Sequence, residues 1–76
     1  MIHIILWVIF ISVLTKRERQ IFQYIINNYS TKEIASFLHI SEKTVRNHIS
    51  NVILKLDVND RTQAIIKLIQ LKEFSV

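Results

Sequence analysis

Two patterns of apolar residues divide the chain at Leu14. Residues 1–13 form an almost continuous apolar run in which only His3 and Ser12 are polar. From Leu14 onward the apolar residues recur at intervals of three and four, which is the spacing of one face of an α-helix. The pattern therefore predicts a short apolar N-terminal extension over residues 1–13 and a helical domain over residues 14–76.

Each periodic segment begins at a residue that can cap a helix. Thr15, Ser30 and Asp60 each stand three residues before a Glu or Gln, which is the spacing of a capping box, and Ser41 is a further N-cap. These signals predict an all-α fold, a four-helix bundle. The predicted helices cover residues 16–27, 31–37, 42–56 and 61–72.

The second and third predicted helices are joined by a tight turn around His39. A short helix, a turn of a few residues and a longer helix form the arrangement of a helix-turn-helix. Ala35 is small enough for the longer helix to cross closely over the shorter one. We therefore expect the four-helix bundle to contain a helix-turn-helix.

The third predicted helix has two different faces. Its buried stripe consists of Val45, Ile49, Val52, Ile53 and Leu56. Its polar face consists of Lys43, Arg46, Asn47, Ser50 and Asn51. No acid stands among these polar residues, and Glu42 occupies the first turn, where a carboxylate suits the helix dipole. An ordinary solvated face mixes acids with bases, so this one favours binding to phosphates and base edges of DNA.

Composition narrows the possible functions. The chain has 76 residues, enough for one domain, with a net charge of +4 and 50% hydrophobic residues. A basic chain favours a nucleic acid or an acidic membrane surface as partner, and the hydrophobic content argues against disorder. The chain has no cysteine and no Gly-rich phosphate loop. We expect no catalytic residue, metal, cofactor or small-molecule ligand, and hence no enzyme.

The apolar extension, residues 1–13, admits three interpretations. It is too short to span a bilayer as a helix and lacks the features of a secretory signal. It could pack on the domain or across a dimer, or be a remnant of a lost upstream domain. These two interpretations are favoured over a weak membrane contact flanked by Lys16, Arg17 and Arg19.

The stretch from Leu14 to Phe74 resembles the LuxR/GerE-type helix-turn-helix DNA-binding domain. It is most similar to the single-domain GerE-like members, and it also resembles the C-terminal output domain of NarL-type response regulators. At two positions where the family usually has glycine, this chain has Asn28 and Asp57, which tolerate left-handed backbone. The matching motifs are Leu-Thr-Lys-Arg-Glu-Arg (14–19), Thr-Lys-Glu-Ile-Ala (31–35), Ile-Ser-Glu-Lys-Thr-Val-Arg-Asn-His-Ile-Ser-Asn (40–51), Lys-Leu (55–56) and Asp-Arg-Thr-Gln-Ala (60–64).

The resemblance implies a transcriptional regulator that binds double-stranded DNA, with residues 42–56 as the recognition helix in the major groove. It also implies RNA polymerase as a further partner. A receiver domain does not fit within residues 1–13, so we expect no phosphorelay control within this chain. The implied base contacts are Arg46, Asn47 and Ser50. The implied DNA-backbone contacts are Thr31, Lys32, Lys43, Thr44, His48 and Asn51.

The last predicted helix, residues 61–72, has an apolar surface beyond the one that the core requires. Ala64, Leu68 and Leu71 fall on one side, and Ile65, Ile66 and Ile69 fall on another. The second side predicts a homodimer, unless residues 1–13 cover it. The alternative function is a protein-interaction module that dimerises with a longer regulator and modulates it without binding DNA itself.

The composition also bears on the source. The chain is rich in Ile, Lys and Asn and has no Gly or Pro, which is typical of translation from an AT-rich genome. We expect a bacterial cytoplasmic protein, with the plastid stroma of an alga as the alternative.

Overall fold

The computed structural model describes residues 14–71, and these residues form four α-helices without a strand. The all-α prediction is confirmed, and the helix ends lie within two residues of the predicted ones, the usual uncertainty of helix boundaries. The apolar extension, residues 1–13, and residues 72–76 lie outside the described residues. The helices are α1 (Lys16–Ile26), α2 (Thr31–Leu38), α3 (Glu42–Leu56) and α4 (Arg61–Gln70).

Reciprocal capping boxes start the first two helices. Thr15 Oγ1 accepts the Glu18 N–H at 3.0 Å, and Glu18 Oε1 accepts the Thr15 N–H at 2.8 Å. Ser30 and Glu33 repeat the pattern at 3.1 and 3.0 Å. Each box provides partners for N–H groups that the start of a helix leaves unsatisfied.

The capping box predicted at the start of α4 forms only one of its two expected hydrogen bonds, so this prediction is wrong for the second. Asp60 Oδ1 accepts the Gln63 N–H at 2.9 Å as expected. Gln63 Oε1, however, accepts the N–H of Asn59 at 3.0 Å instead of that of Asp60. The side-chain amide therefore satisfies the residue before the cap and secures the end of the preceding loop.

The turns that end α1, α2 and α3 each contain a non-glycine residue with left-handed backbone. The φ angles are 68° at Asn28, 56° at His39 and 54° at Asp57. In each turn the next residue donates its N–H to the carbonyl five residues back, as in a Schellman motif. Asn and Asp adopt this backbone at small cost, so the missing glycines do not disturb the fold.

α3 lies at the centre of the domain and packs against the other three helices. Its buried stripe, predicted from spacing, is confirmed except that Ile53 is only half-buried. No helix within residues 14–71 is long and apolar enough to cross a membrane. The buried apolar core comprises Leu14, Ile21, Phe22, Ile34, Ala35, Val45, Ile49, Val52, Leu56, Ala64 and Leu68.

Two lysine contacts hold the C-terminal end of α3. Lys55 Nζ donates to both carboxylate oxygens of Glu18 on α1, at 2.7 and 2.9 Å, and Glu18 is only 2% exposed. Burial raises the pKa of Glu18, but the hydrogen bonds from Lys55 and Thr15 and the Lys55 charge outweigh it, so this pKa lies below its ordinary value. On the other side, Lys67 Nζ of α4 donates to the Leu56 carbonyl at 2.8 Å.

Candidate nucleic-acid interface

The polar face of α3 is exposed along its length. Its opposite stripe is buried in the core, so the helix is held in one rotational position with the polar face turned outward. The side chains on that face can donate charged or neutral hydrogen bonds and can accept them through amide and hydroxyl oxygens. The exposed residues of this face are Lys43, Arg46, Asn47, Ser50 and Asn51.

Thr44 and His48 lie at the edge of this face and are half-buried. The Thr44 hydroxyl is 2.9 Å from the Ser41 hydroxyl, and Ser41 Oγ also accepts the Thr44 N–H at 3.0 Å. Thr44 therefore takes part in the N-cap of α3, at the three-residue spacing that the capping boxes of α1 and α2 also use. His48, one turn later, is placed beside the exposed face and not within it.

The start of α2 supplies a second group of donors. Thr31 and Lys32 are its first two residues, and Lys32 is exposed. The first N–H groups of an α-helix have no partner within the helix, and together with the positive end of the helix dipole they suit a phosphate. Because α2 and α3 are joined by the short turn at His39, both groups belong to one helix-turn-helix unit.

An ion pair on the exposed face was not anticipated from the sequence. Arg46 Nη1 lies 3.3 Å from Glu42 Oε2, and the two side chains are 56% and 42% exposed. The spacing of four residues, with the acid nearer the N-terminus, is the favourable one for such a pair and was the available signal. The carboxylate that was assigned only to the helix dipole thus also contacts a predicted base-reading side chain.

The three isoleucines of the predicted dimer face on α4 are not equally exposed. Ile66 is 49% exposed, while Ile69 is half-buried. Ile65 is half-buried and packs against the core. The three isoleucines therefore differ in exposure: Ile66 is exposed, whereas Ile65 and Ile69 are half-buried.

Comparisons with known proteins agree with this architecture. The chain is 54% identical over 63 residues to the spore germination protein GerE of Bacillus subtilis (strain 168), covering 83% of this chain and 85% of that protein. It is 47% identical over 60 residues to the transcriptional regulatory protein DegU of Brevibacillus brevis. That match covers 79% of this chain and 25% of DegU.

The fold also matches a solved structure of the transcription factor GerE. The TM-score is 0.79 at 60% sequence identity, over 83% of this chain and 94% of the GerE chain. Residues 12–68 match the family described as bacterial regulatory proteins, luxR family. With four helices, a helix-turn-helix at their centre and this extent of similarity, the chain belongs to the luxR family of bacterial regulatory proteins.

Proposed function

We propose that the protein regulates transcription by placing α3 in the major groove of duplex DNA and reading base edges with Arg46, Asn47 and Ser50. The observation that carries this proposal is the exposed face of α3, which presents a lysine, an arginine, two amides and a hydroxyl. B-DNA has a major groove wide enough for one α-helix, and its base edges offer partners for these groups. Membership of a family of DNA-binding regulators supports the same reading.

The proposed roles follow from the chemistry of each side chain. The Arg46 guanidinium can donate two bonds to O6 and N7 of guanine, and the Asn47 amide can pair with N6 and N7 of adenine. The Lys43 ammonium is a point charge without directional preference, which suits a phosphate oxygen. These differences assign sequence reading to Arg46 and Asn47 and assign general affinity to Lys43.

The remaining backbone contacts in this proposal surround the reading residues. The first N–H groups of α2, at Thr31 and Lys32, would bind one phosphate. The Thr44 hydroxyl, the His48 imidazole and the Asn51 amide would contact the sugar-phosphate backbone beside the groove. Such contacts fix the register of the protein on DNA and carry no sequence information themselves.

Selection of bound sequences from random duplex DNA tests the proposal directly. We expect enrichment of one motif, and we expect the affinity for that motif to fall steeply as salt concentration rises, because phosphate contacts release counterions. Fluorescence anisotropy with the enriched duplex and a scrambled duplex measures both effects. Absence of enrichment, or binding that does not depend on salt, would contradict the proposal.

Three alanine variants separate the proposed roles. Arg46→Ala should reduce affinity for the enriched duplex by about 1–3 kcal/mol and relax the preference at one base. Lys43→Ala should weaken binding to both duplexes alike and lower the salt slope by about 1. Lys16→Ala is the matched control, since it removes the same charge from an exposed position on α1. Equal losses on both duplexes from Arg46→Ala would refute its reading role.

The proposal includes a homodimer formed through α4. Ile66 and Ile69 are three residues apart on this helix; Ile66 is 49% exposed and Ile69 is half-buried. Two copies related by a twofold axis would cover both residues and place two α3 helices about one DNA turn apart, which predicts paired half-sites.

The oligomeric state provides the test of the dimer. Analytical ultracentrifugation should give a dimer for the wild type and a monomer for Ile66→Asp, with the helical circular dichroism unchanged. Ile65→Val is the matched control, because Ile65 packs mainly against the core. A monomeric wild type would refute the dimer.

A bacterial cytoplasm and contact with RNA polymerase complete the proposed setting. The location and the polymerase contact both depend on the regulatory role proposed above. Two similar proteins are bacterial: the spore germination protein GerE of Bacillus subtilis and the transcriptional regulatory protein DegU of Brevibacillus brevis.

A further inference from the structure

We propose that Glu42 is a positioning residue for Arg46, which raises the ratio of specific to non-specific DNA binding. The proposal rests on the function proposed above, because it assigns a role at the same DNA-reading face. The pair is local: Glu42 is the first residue of α3, and Arg46 lies one turn later on the exposed side.

The geometry directs the guanidinium toward the N-terminal end of α3. Arg46 Nη1 is 3.3 Å from Glu42 Oε2, so one end of the guanidinium rests against the carboxylate. A guanidinium has five N–H donors in a planar fork, and the contact through Nη1 leaves donors on its other edges for a base. In helix-turn-helix proteins the N-terminal residues of the recognition helix contact base edges.

Holding the side chain in this way reduces the entropy that base recognition would otherwise lose. A free arginine samples many rotamers, and ordering it opposes binding. Glu42 limits those rotamers before DNA arrives. The smaller entropy loss favours specific binding, in which the guanidinium meets the correct base in the orientation that Glu42 already gives it. It does not favour non-specific binding, in which the guanidinium must leave Glu42 and turn toward a phosphate.

The negative charge of Glu42 acts in the same direction. Non-specific binding comes almost entirely from cations on phosphates. A carboxylate beside Arg46 neutralises part of that attraction and is itself repelled by nearby phosphates. At the correct sequence, directional bonds from Arg46 to the base offset this repulsion. Specificity is a difference between two affinities, and Glu42 lowers the affinity for the wrong partner.

A competing role for Glu42 is stabilisation of α3 through the helix dipole. The two roles predict different results for two substitutions. Glu42→Asp keeps a negative charge in the first turn but shortens the side chain by one methylene group, so that it no longer reaches Arg46. Glu42→Gln keeps the length but removes the charge.

The experiment measures affinity by fluorescence anisotropy for an enriched duplex and for a scrambled duplex of equal length. For Glu42→Gln we expect binding to the scrambled duplex to strengthen about threefold, and the affinity ratio to fall about fivefold. Glu42→Asp should lose a smaller part of the ratio, because it keeps the charge that repels phosphates and loses only the contact with Arg46. In an Arg46→Ala background, Glu42→Gln should leave the ratio unchanged within about twofold.

Three outcomes would overturn the proposal. In the first, Glu42→Gln has the same ratio of specific to non-specific affinity as the wild type. In the second, Glu42→Asp retains the full ratio. In the third, Glu42→Gln lowers the ratio as much in the Arg46→Ala background as it does when Arg46 is present. A wild-type ratio near one would refute both this proposal and sequence-specific binding. That failure is distinguishable, because it appears before any variant is made. Circular dichroism of each variant confirms that α3 still forms.

Discussion

The Glu18→Gln variant should lose about 2 kcal/mol of unfolding free energy near pH 7, because it removes the negative charge that pairs with Lys55. The amide keeps the shape of the side chain, so the packing around it should change little. The Gln oxygen can still accept the Thr15 N–H. The loss comes from the contacts with Lys55: an amide NH2 cannot accept the 2.9 Å bond to Oε2, and the 2.7 Å bond to Oε1 no longer joins two charged groups. Bonds to charged groups contribute about 1.5–3 kcal/mol each. The expected value is lower than their sum because the Lys55 side chain is 31% exposed and water can solvate it.

Urea unfolding followed by far-ultraviolet circular dichroism measures this loss. In a domain of this length each kcal/mol changes Tm by about 4–8 °C, so the variant should melt about 8–16 °C lower than the wild type. Glu33→Gln is the matched control, since Glu33 forms the same capping box but on an exposed surface. It should lose less stability than Glu18→Gln.

The pH dependence gives the sharper test. Glu18 has a folded pKa below its ordinary value of 4.5, so the stabilisation from its charge is fully present above 4.5 and is lost as the pH falls through the folded pKa. The wild type and Glu18→Gln should therefore converge in stability at acidic pH. A difference that persists unchanged at low pH, or no difference near pH 7, would refute the assignment of this stabilisation to the ion pair.

Three further predictions concern the same fold. Leu56→Ala should cost about 2–5 kcal/mol in urea unfolding, because Leu56 is fully buried in the core; a loss below about 1 kcal/mol would contradict its burial. His39→Gly should stabilise the domain by about 0.5–1 kcal/mol in thermal unfolding, because glycine adopts left-handed backbone without the cost imposed by Cβ; destabilisation would show that the His39 side chain contributes contacts. Lys67→Met should destabilise the domain modestly by removing the bond to the Leu56 carbonyl, and Lys67→Arg should restore part of the loss, which a purely hydrophobic role would not allow.

The features that were predictable from the sequence are local ones. Capping boxes and apolar spacing depend on residues three or four apart, so they located all four helices and the two faces of α3. The left-handed positions at Asn28 and Asp57 were foreseen because the residue types and the family pattern agree. The pair of Glu42 and Arg46 was equally local and could have been found from its spacing.

The contacts that the sequence did not predict join residues that are far apart along the chain. Glu18 and Lys55 are 37 residues apart, and only the packing of α1 on α3 brings them together. The contact of Lys67 with the Leu56 carbonyl depends likewise on how α4 crosses α3. The partial burial of Ile65 against the core could not be predicted from a helical pattern, because spacing separates two apolar sides but does not show how far the core extends between them.

The two lysine contacts at the C-terminal end of α3 have a consequence for evolution. They secure the helix far from its N-terminal half, where Lys43, Arg46 and Asn47 stand on the exposed side. Exposed positions away from such contacts usually change stability little when substituted. With the base-reading role proposed for this half, single substitutions there would give access to new target sequences while the fold is maintained. A duplicated copy of such a domain can diverge in the genes it controls before its stability becomes limiting.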